Sequence, residues 1–424
     1  MKNRIYIGVI ISLNLLVMFA TQVILIRYAG LNAEVDSFVA AQTVPSVIFA
    51  ILSSAINGVW LARLTVKFRD KSELLKRLSS AHLQVSFFAL VLILPLFLLT
   101  SHWIPIIFPG FDDQQLILTK NLSFFFLINL FFNMNALLGS IFFRVTGSYI
   151  FLEKVLLASS LFVFLAIWIF LPIFGLYAAA LILLLKTAII LIIQLNASGL
   201  VSHHFLDRKL NLESLKDMKP LLLASGVNKT SILVDRFFAS SASNGSITSL
   251  NLAQNIIGAV GMIFERLFCM TNTPKFARLV ESFQIVELRN LYRKNIGWIT
   301  LATFIFIVGL MLSKNIFVIF FSNTLNIEFQ KTKELWLMCL SLVGFLYAGV
   351  VSVILTSVFY ALKDFRTPVF IGISVYVIGV IIKAKLFSSF GLIGIPVATS
   401  IYSLITALVY LLALEFKFLK VNEN

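Results

Sequence analysis

Lys154 to Ala197 reads KVLLASSLFVFLAIWIFLPIFGLYAAALILLLKTAIILIIQLNA, and from Val155 onward its only charged residue is Lys186. Hydrocarbon offers no hydrogen-bond partner to a backbone N–H or C=O, so apolar runs of this kind cross a bilayer as helices. A helix needs about 20 residues to cross. The run therefore holds two crossings, 154–172 and 176–197, meeting at Pro172-Ile-Phe-Gly175.

Working outward, the same pattern fills the chain of 424 residues, 59% hydrophobic and 12% charged. A mean hydropathy of +0.98 leaves more apolar surface than one water-soluble core can hide, so lipid is the solvent. The further spans are expected at 5–26, 37–62, 80–107, 121–143, 220–241, 247–270, 296–313, 335–361, 368–387 and 390–414. The fold class is an all-α polytopic membrane protein of about twelve spans. The first run is too long for a cleaved leader and lacks a small-x-small exit, so a signal-anchor span is expected.

The formal charge of +15 sits in short loops between apolar runs, which argues against nucleic acid as a partner and follows the positive-inside pattern. The 63–77 loop carries Arg63, Lys67, Arg69, Lys71, Lys76 and Arg77, whereas the next loop is acidic at Asp112 and Asp113. With the N-terminus inside, the external basic residues are Arg27, Lys120, Lys314, Lys331, Lys333 and Lys385. Those within spans are Lys186, Lys229, Arg236, Arg266 and Lys383, and the remaining 23 of 34 are cytoplasmic. Both termini are thus expected in the cytoplasm. Cys269 and Cys339 have no CxxC partner and His82, His102, His203 and His204 no ligand spacing, so neither metal nor cofactor is expected.

The chain repeats weakly. Arg27-Tyr28-Ala29 precedes Ala41-Gln42 in the first hairpin as Arg236-Phe237-Phe238 precedes Ala253-Gln254 six spans later. Parallel repeats place a substrate path between two lobes. The expected lobes are 1–200 and 220–424, joined by a cytoplasmic linker 201–219.

An ionisable group inside a span costs roughly 2.5–3.5 kcal/mol on insertion scales, so each needs a reason. The seventh span holds Asn228, Lys229, Asp235 and Arg236. Lys229 and Arg236 are seven apart and share a helix face. Two readings stand for Arg236: a cation facing a wet cavity, or a side chain snorkelling to the outer interface. Lys229 and Lys186 lie too deep to snorkel easily. Arg27 and Asp36 flank the Gly30 turn, where interface anchoring also accounts for them. Asn129 and Asn133 are expected to hydrogen-bond between helices. No Gly-rich phosphate loop, His-Glu-x-x-His or nucleotide-binding domain is present. A transporter is expected rather than an enzyme.

Four stretches then resemble one family. Arg27-Tyr-Ala-Gly30-Leu-Asn-Ala-Glu-Val-Asp36-Ser-Phe38, followed by Pro45, is similar to the first hairpin of the MurJ/MviN lipid II flippases. Val234-Asp235-Arg236-Phe-Phe-Ala-Ser240 with Gly245-Ser246-Ile247 resembles their seventh span. Phe359-Tyr360-Ala-Leu-Lys-Asp364-Phe-Arg366-Thr367-Pro368 resembles the approach to the eleventh, and Gly391-Leu-Ile-Gly394-Ile-Pro-Val-Ala398-Thr399-Ser400 the twelfth. That family belongs to the multidrug/oligosaccharidyl-lipid/polysaccharide exporter superfamily. The resemblance implies two six-helix lobes rocking between inward-open and outward-open states around a polyprenyl-diphosphate-linked saccharide.

It also exposes departures. Family cavity arginines fall at Thr21, Phe49 and Asn255, while Lys229 stands at a common Gln and Asp36 is retained. Headgroup charge is therefore expected from Arg27, Lys186, Lys229 and Arg236, with Asp36 and Asn255 also lining the substrate site. A sodium site of the family maps to Asp235, Gly379, Lys383 and Thr399, so an Asp235–Lys383 ion pair is expected in place of Na⁺. Full-length members carry two further C-terminal spans, which makes O-antigen and capsule intermediates expected cargoes beside lipid II. The implied setting is the bacterial inner membrane, with membrane lipid and envelope-synthesis glycosyltransferases as neighbours. A MATE-type drug antiporter and a non-transporting scaffold paralogue are the competing readings.

Overall fold

The computed structural model describes residues 2–61, 71–200, 208–269 and 272–422, and no strand occurs among them. Arg63, Lys67, Arg69, Asp70, His203 and His204 lie outside the described residues. Contacts divide the chain into two compact units, 1–245 and 246–424.

In the first unit, α1 (Lys2–Ala29) and α2 (Ala33–Ile56) form a hairpin closed by one side chain. Asn32 Oδ1 accepts the Val35 amide at 3.0 Å and its Nδ2 donates to the Ala29 carbonyl at 2.8 Å. One residue thus satisfies an orphan group at the end of each helix. The third span, expected as one piece, is broken into α3 (Lys71–Leu98) and α4 (Thr100–Ile107). Pro95 lies one turn before the break, where its ring disturbs the helix, and Trp103 Nε1 spans it by donating to the Leu96 carbonyl at 2.9 Å. α5 (Asp113–Val145) begins eight residues before its expected start because Asp112 and Gln115 form a reciprocal capping box. Lys120 therefore lies on a helix rather than in a loop.

α6 (Tyr149–Ser198) contains both crossings of the opening stretch, separated at Gly175, whose φ of 64° and ψ of −155° only glycine adopts freely. α7 (Arg208–Ser240) starts twelve residues early, so the described part of the expected linker, 208–219, is helical. It packs along α2 within the first unit. Leu78, Leu127, Leu138 and Ile141 form a fully buried apolar core between α3 and α5.

The second unit begins with α8 (Ser246–Phe264), which runs into a π-turn at Glu265–Cys269. α9 (Thr273–Glu281), α10 (Ile285–Leu312) and α11 (Lys314–Leu325) follow. The short α9 and α11 lie outside the expected spans. The tenth span is divided into α12 (Phe329–Ser341) and α13 (Val343–Ala361), and α14 (Arg366–Phe390) and α15 (Gly394–Asn422) meet at Gly391. Leu288, Ile299, Ile354, Leu355, Phe359 and Leu414 fill the core, with Tyr292 stacked on Phe418. Cys269 and Cys339 are buried and free.

The break between α12 and α13 is held by α15. Ser400 Oγ donates to the Ser341 carbonyl and accepts the Phe345 amide at 3.0 Å. A single hydroxyl thus replaces bonds that the interruption removes.

Nine of the described helical runs are long and apolar enough to cross a membrane. Two of them, Tyr149–Ser198 and Arg366–Phe418, are 50 and 53 residues long, room for two crossings each, and are interrupted at Gly175 and Gly391. Because open space surrounds Gly175, Gly175→Ala tests backbone strain alone. It is expected to lower stability by about 1–3 kcal/mol, read as a lower Tm of the purified protein. Gly309→Ala, also in open space but helical, is expected to be neutral or stabilising.

Candidate substrate and coupling sites

In the first unit the polar centre forms where the end of α7 meets the first hairpin. Asp36, in the first turn of α2, is 2% exposed, and its Oδ2 accepts the Gly245 amide at 2.7 Å. Gly245 has φ +89°, and a Cβ there would lie 2.7 Å from the Leu31 carbonyl oxygen. Only glycine permits that approach. Gly110 makes a second close contact with the same turn, since a Cβ would stand 2.2 Å from the Ser240 carbonyl oxygen. The end of α7 is thereby pinned at two points.

Asp235 and Arg236, on the last turns of α7, are 3% and 2% exposed. Arg236 is enclosed by protein, and the fields of Asp235 and Asp36 both act on it. Of the two sequence readings, snorkelling to an interface therefore lacks the exposed side chain it needs. Lys229 and Arg27, by contrast, are exposed.

A second polar seam joins α5 to α6. Half-buried Lys186 donates to Ser160 Oγ at 3.1 Å, linking the two crossings of α6. Thr187 Oγ1 donates to Asn129 Oδ1, and Asn133 Nδ2 donates to the same oxygen at 3.2 Å. Gln194 Nε2 donates to Ser140 Oγ at 3.1 Å. Asn129 thus makes the interhelical bond expected of it, whereas the Asn133 bond stays within its own helix.

In the second unit Lys383 is 1% exposed, with its Nζ 5.1 Å from the centroid of the Tyr402 ring. That is a cation–π distance. Gly379 makes room for the ring, since a Cβ there would fall 2.8 Å from Tyr402 Cγ. Thr399 is buried and donates its hydroxyl to the Ile395 carbonyl at 2.9 Å. Asn255 is exposed on α8, and Thr21 Oγ1 of the first unit is bonded to the Val17 carbonyl at 2.8 Å. Lys385, expected in an external loop, lies on α14.

Reading the sequence missed Ser160 and Tyr402, and it gave Ser400 and Gly245 no role beyond their places in the family motifs. It also missed a clamp near the end of α15. Glu415 accepts hydrogen bonds from Arg289, Tyr292 and Arg293 of α10, the last at 2.8 Å. Two residues on, Lys417 Nζ reaches Asp364 Oδ2 at 2.8 Å. Asp364 also caps α14 by accepting the Thr367 amide at 3.1 Å and its hydroxyl at 2.8 Å.

These features define a class: a multi-pass helical membrane protein with interrupted spans and buried ionisable side chains. The lipid II flippase MurJ in an inward-closed conformation superposes with a TM-score of 0.82 at 16% identity, covering 97% of this chain and 87% of that one. An inward-facing multidrug-resistance MATE transporter of the MOP superfamily gives 0.77 at 15% identity, with 99% of both chains covered. A MOP-superfamily transporter from Pyrococcus furiosus gives 0.66 at 16% identity, with 96% and 95% covered. These likenesses give the fold, that of MOP-superfamily transporters.

The model of the family described as lipid II flippase MurJ matches residues 25–422, and the chain belongs to that family. It is a family of transporters rather than enzymes. No curated protein matches the chain.

Two measurements follow from this geometry. Burial raises the Asp364 carboxyl, but the bonds from Lys417 and Thr367 outweigh it and hold the group at about 2, below the ordinary 3.8. A depressed acid stabilises the fold above its unfolded value and loses that stabilisation as pH falls through the folded one. The Asp364 share of stability is therefore expected to be constant above about pH 4 and to fade toward pH 2. Asp364→Asn should remove that part of the acid limb in thermal melts. In the first unit, Gly245→Ala and Asp36→Ala break the same contact, so their Tm losses are expected to be less than additive in a double-mutant cycle.

Proposed function

We propose that the chain flips a polyprenyl-diphosphate-linked saccharide from the cytoplasmic to the outer leaflet of the bacterial inner membrane by alternating access. The cargo class comprises peptidoglycan, O-antigen and capsule intermediates. The observation that carries this reading is burial of ionisable side chains in spans of a MurJ-family chain: Asp36, Asp235, Arg236 and Lys383 are each at most 3% exposed. Charge is retained at such depth where a cargo or a coupling step uses it. A diphosphate needs cations in a wet cavity, while its polyprenyl tail can remain in lipid.

Arg27, Lys186, Lys229 and Arg236 are assigned to the headgroup, with Asp36 and Asn255 beside them. Asp235, Lys383 and Thr399 are assigned to coupling, with the Lys383 ammonium serving where a bound alkali ion would otherwise supply positive charge. Cytoplasmic termini are the orientation that the basic loops favour, and export toward the outer leaflet is the direction that membership of a lipid II flippase family supports. Envelope-synthesis glycosyltransferases are the proposed suppliers of cargo. The MOP fold, shared with MATE transporters, also supports a small-molecule antiporter. Cations outnumber carboxylates among the assigned residues, which favours the anionic cargo.

Lys229→Gln tests the headgroup assignment. Loss of one charge-assisted hydrogen bond, worth about 1.5–3 kcal/mol, corresponds to about tenfold or more in transport. Complementation of a flippase-depleted strain by the variant should fall accordingly, and undiminished complementation contradicts the role. For coupling, the expected result is equal thermal stability in sodium and in potassium buffers. A rise in Tm specific to Na⁺ contradicts the Lys383 assignment.

A further inference from the structure

The corner between α9 and α10 is built in a way that the transport reading does not use. α9 is amphipathic: Phe276 is fully buried against the second unit, while Lys275 and Arg278 are exposed. The helix ends in a Schellman turn, with the Gln284 amide bonded to the Leu279 carbonyl at 2.9 Å and the Phe283 amide to the Val280 carbonyl at 3.1 Å. The position at the centre of such a turn adopts left-handed backbone geometry and is ordinarily glycine. Here it is Phe283, at φ +56°. A side chain in that conformation is strained, because its Cβ crowds the following carbonyl oxygen.

Packing does not offset the cost, because the ring is 88% exposed, and Val286 one turn on is 70% exposed. The strained turn therefore presents an aromatic ring outward. What covers that ring is indicated by the helix that follows. Trp298, Leu301 and Ile305 are exposed along α10 and share a face with Lys294. That apolar stripe lies on a helix long and apolar enough to cross a membrane, where acyl chains are the solvent for an exposed apolar face. Lys294 stands at the charged end of the stripe, and toward the turn Val286, in the first turn of α10, and Phe283, just before it, are the exposed apolar side chains.

Charge points the same way. Between residues 275 and 294 there are five basic residues and two acidic ones, Glu281 and Glu287. Arg289 and Arg293 are engaged by Glu415. Lys275, Arg278 and Lys294 make no ion pair among the described residues. An exposed aromatic at the turn between two helices that carry uncommitted cations, one of them with an apolar stripe long enough to span, has the chemistry of a bilayer interface. The ring enters the headgroup layer and the cations meet phosphodiesters.

We infer that the α9–α10 corner is a binding surface for anionic phospholipid, with Phe283 inserted at the headgroup level and Lys275, Arg278 and Lys294 drawing the phosphates of lipids around it. Each cation near an anionic surface adds roughly fivefold in affinity, so the three together make a preference for acidic over zwitterionic lipid readily measurable.

The test uses the full chain in detergent, with Tm measured as phosphatidylglycerol or phosphatidylcholine is added. The wild type should gain more from phosphatidylglycerol. Combined Lys275→Gln, Arg278→Gln and Lys294→Gln should lose most of that difference and keep the response to phosphatidylcholine. Phe283→Gly provides a separate check: it should raise Tm in detergent alone by relieving the turn, yet shrink the phosphatidylglycerol response. Equal responses of the wild type to both lipids overturn the proposal. So does a full phosphatidylglycerol response in either variant.

Discussion

A hydrocarbon solvent accepts no hydrogen bond, so every polar group placed within it must find a partner inside the protein or cost several kcal/mol. That constraint accounts for the helices and, more tellingly, for how their interruptions are repaired. Where the tenth span breaks at Leu342, Ser400 serves both sides of the gap. Where the third span breaks at Leu99, the Trp103 indole reaches back across it. At Gly175 two crossings join without a loop, and glycine carries a backbone geometry that other residues resist.

The same constraint governs the charges. Asp36 is retained in the first hairpin with the Gly245 amide as partner, and that bond requires glycine because the Leu31 carbonyl lies against it. Lys383 rests over Tyr402, whose ring occupies the space that Gly379 leaves open. In both units a glycine provides room for the group that answers a buried charge. The cations proposed for the headgroup differ among themselves. Arg236 is enclosed, Lys186 is half-buried against a serine, and Lys229 and Arg27 are open. In the proposed mechanism this grading lets the open cations meet cargo while the enclosed one shapes the field.

The spans were legible in the sequence because apolar length is a property of single segments. Their ends were less so. α5 starts at a capping box whose Asp112 and Gln115 sit among residues that read as a polar loop, and α7 extends through charged residues that hydropathy discounts. The buried polar residues Asp36, Asp235, Arg236 and Lys383 could be singled out in advance because ionisable groups are rare in spans. Their partners could not. Gly245 and Tyr402 are ordinary residues whose roles arise only once the chain is folded, as do those of Ser160 beside Lys186 and Ser400 at the break in the tenth span. The Glu415 clamp was hidden for the same reason, joining residues more than a hundred positions apart.

The central claim is that buried charge in this MurJ-family chain serves the passage of an anionic lipid-linked saccharide. It is tested most directly by reconstituting the purified protein in liposomes and measuring transbilayer movement of a polyprenyl-diphosphate-linked saccharide with an impermeant headgroup-modifying reagent. The account predicts protein-dependent exposure of the inner-leaflet pool, absent with a neutral polyprenyl glycoside of the same sugar. Equal movement of the neutral lipid, or none of the diphosphate-linked one, would contradict it.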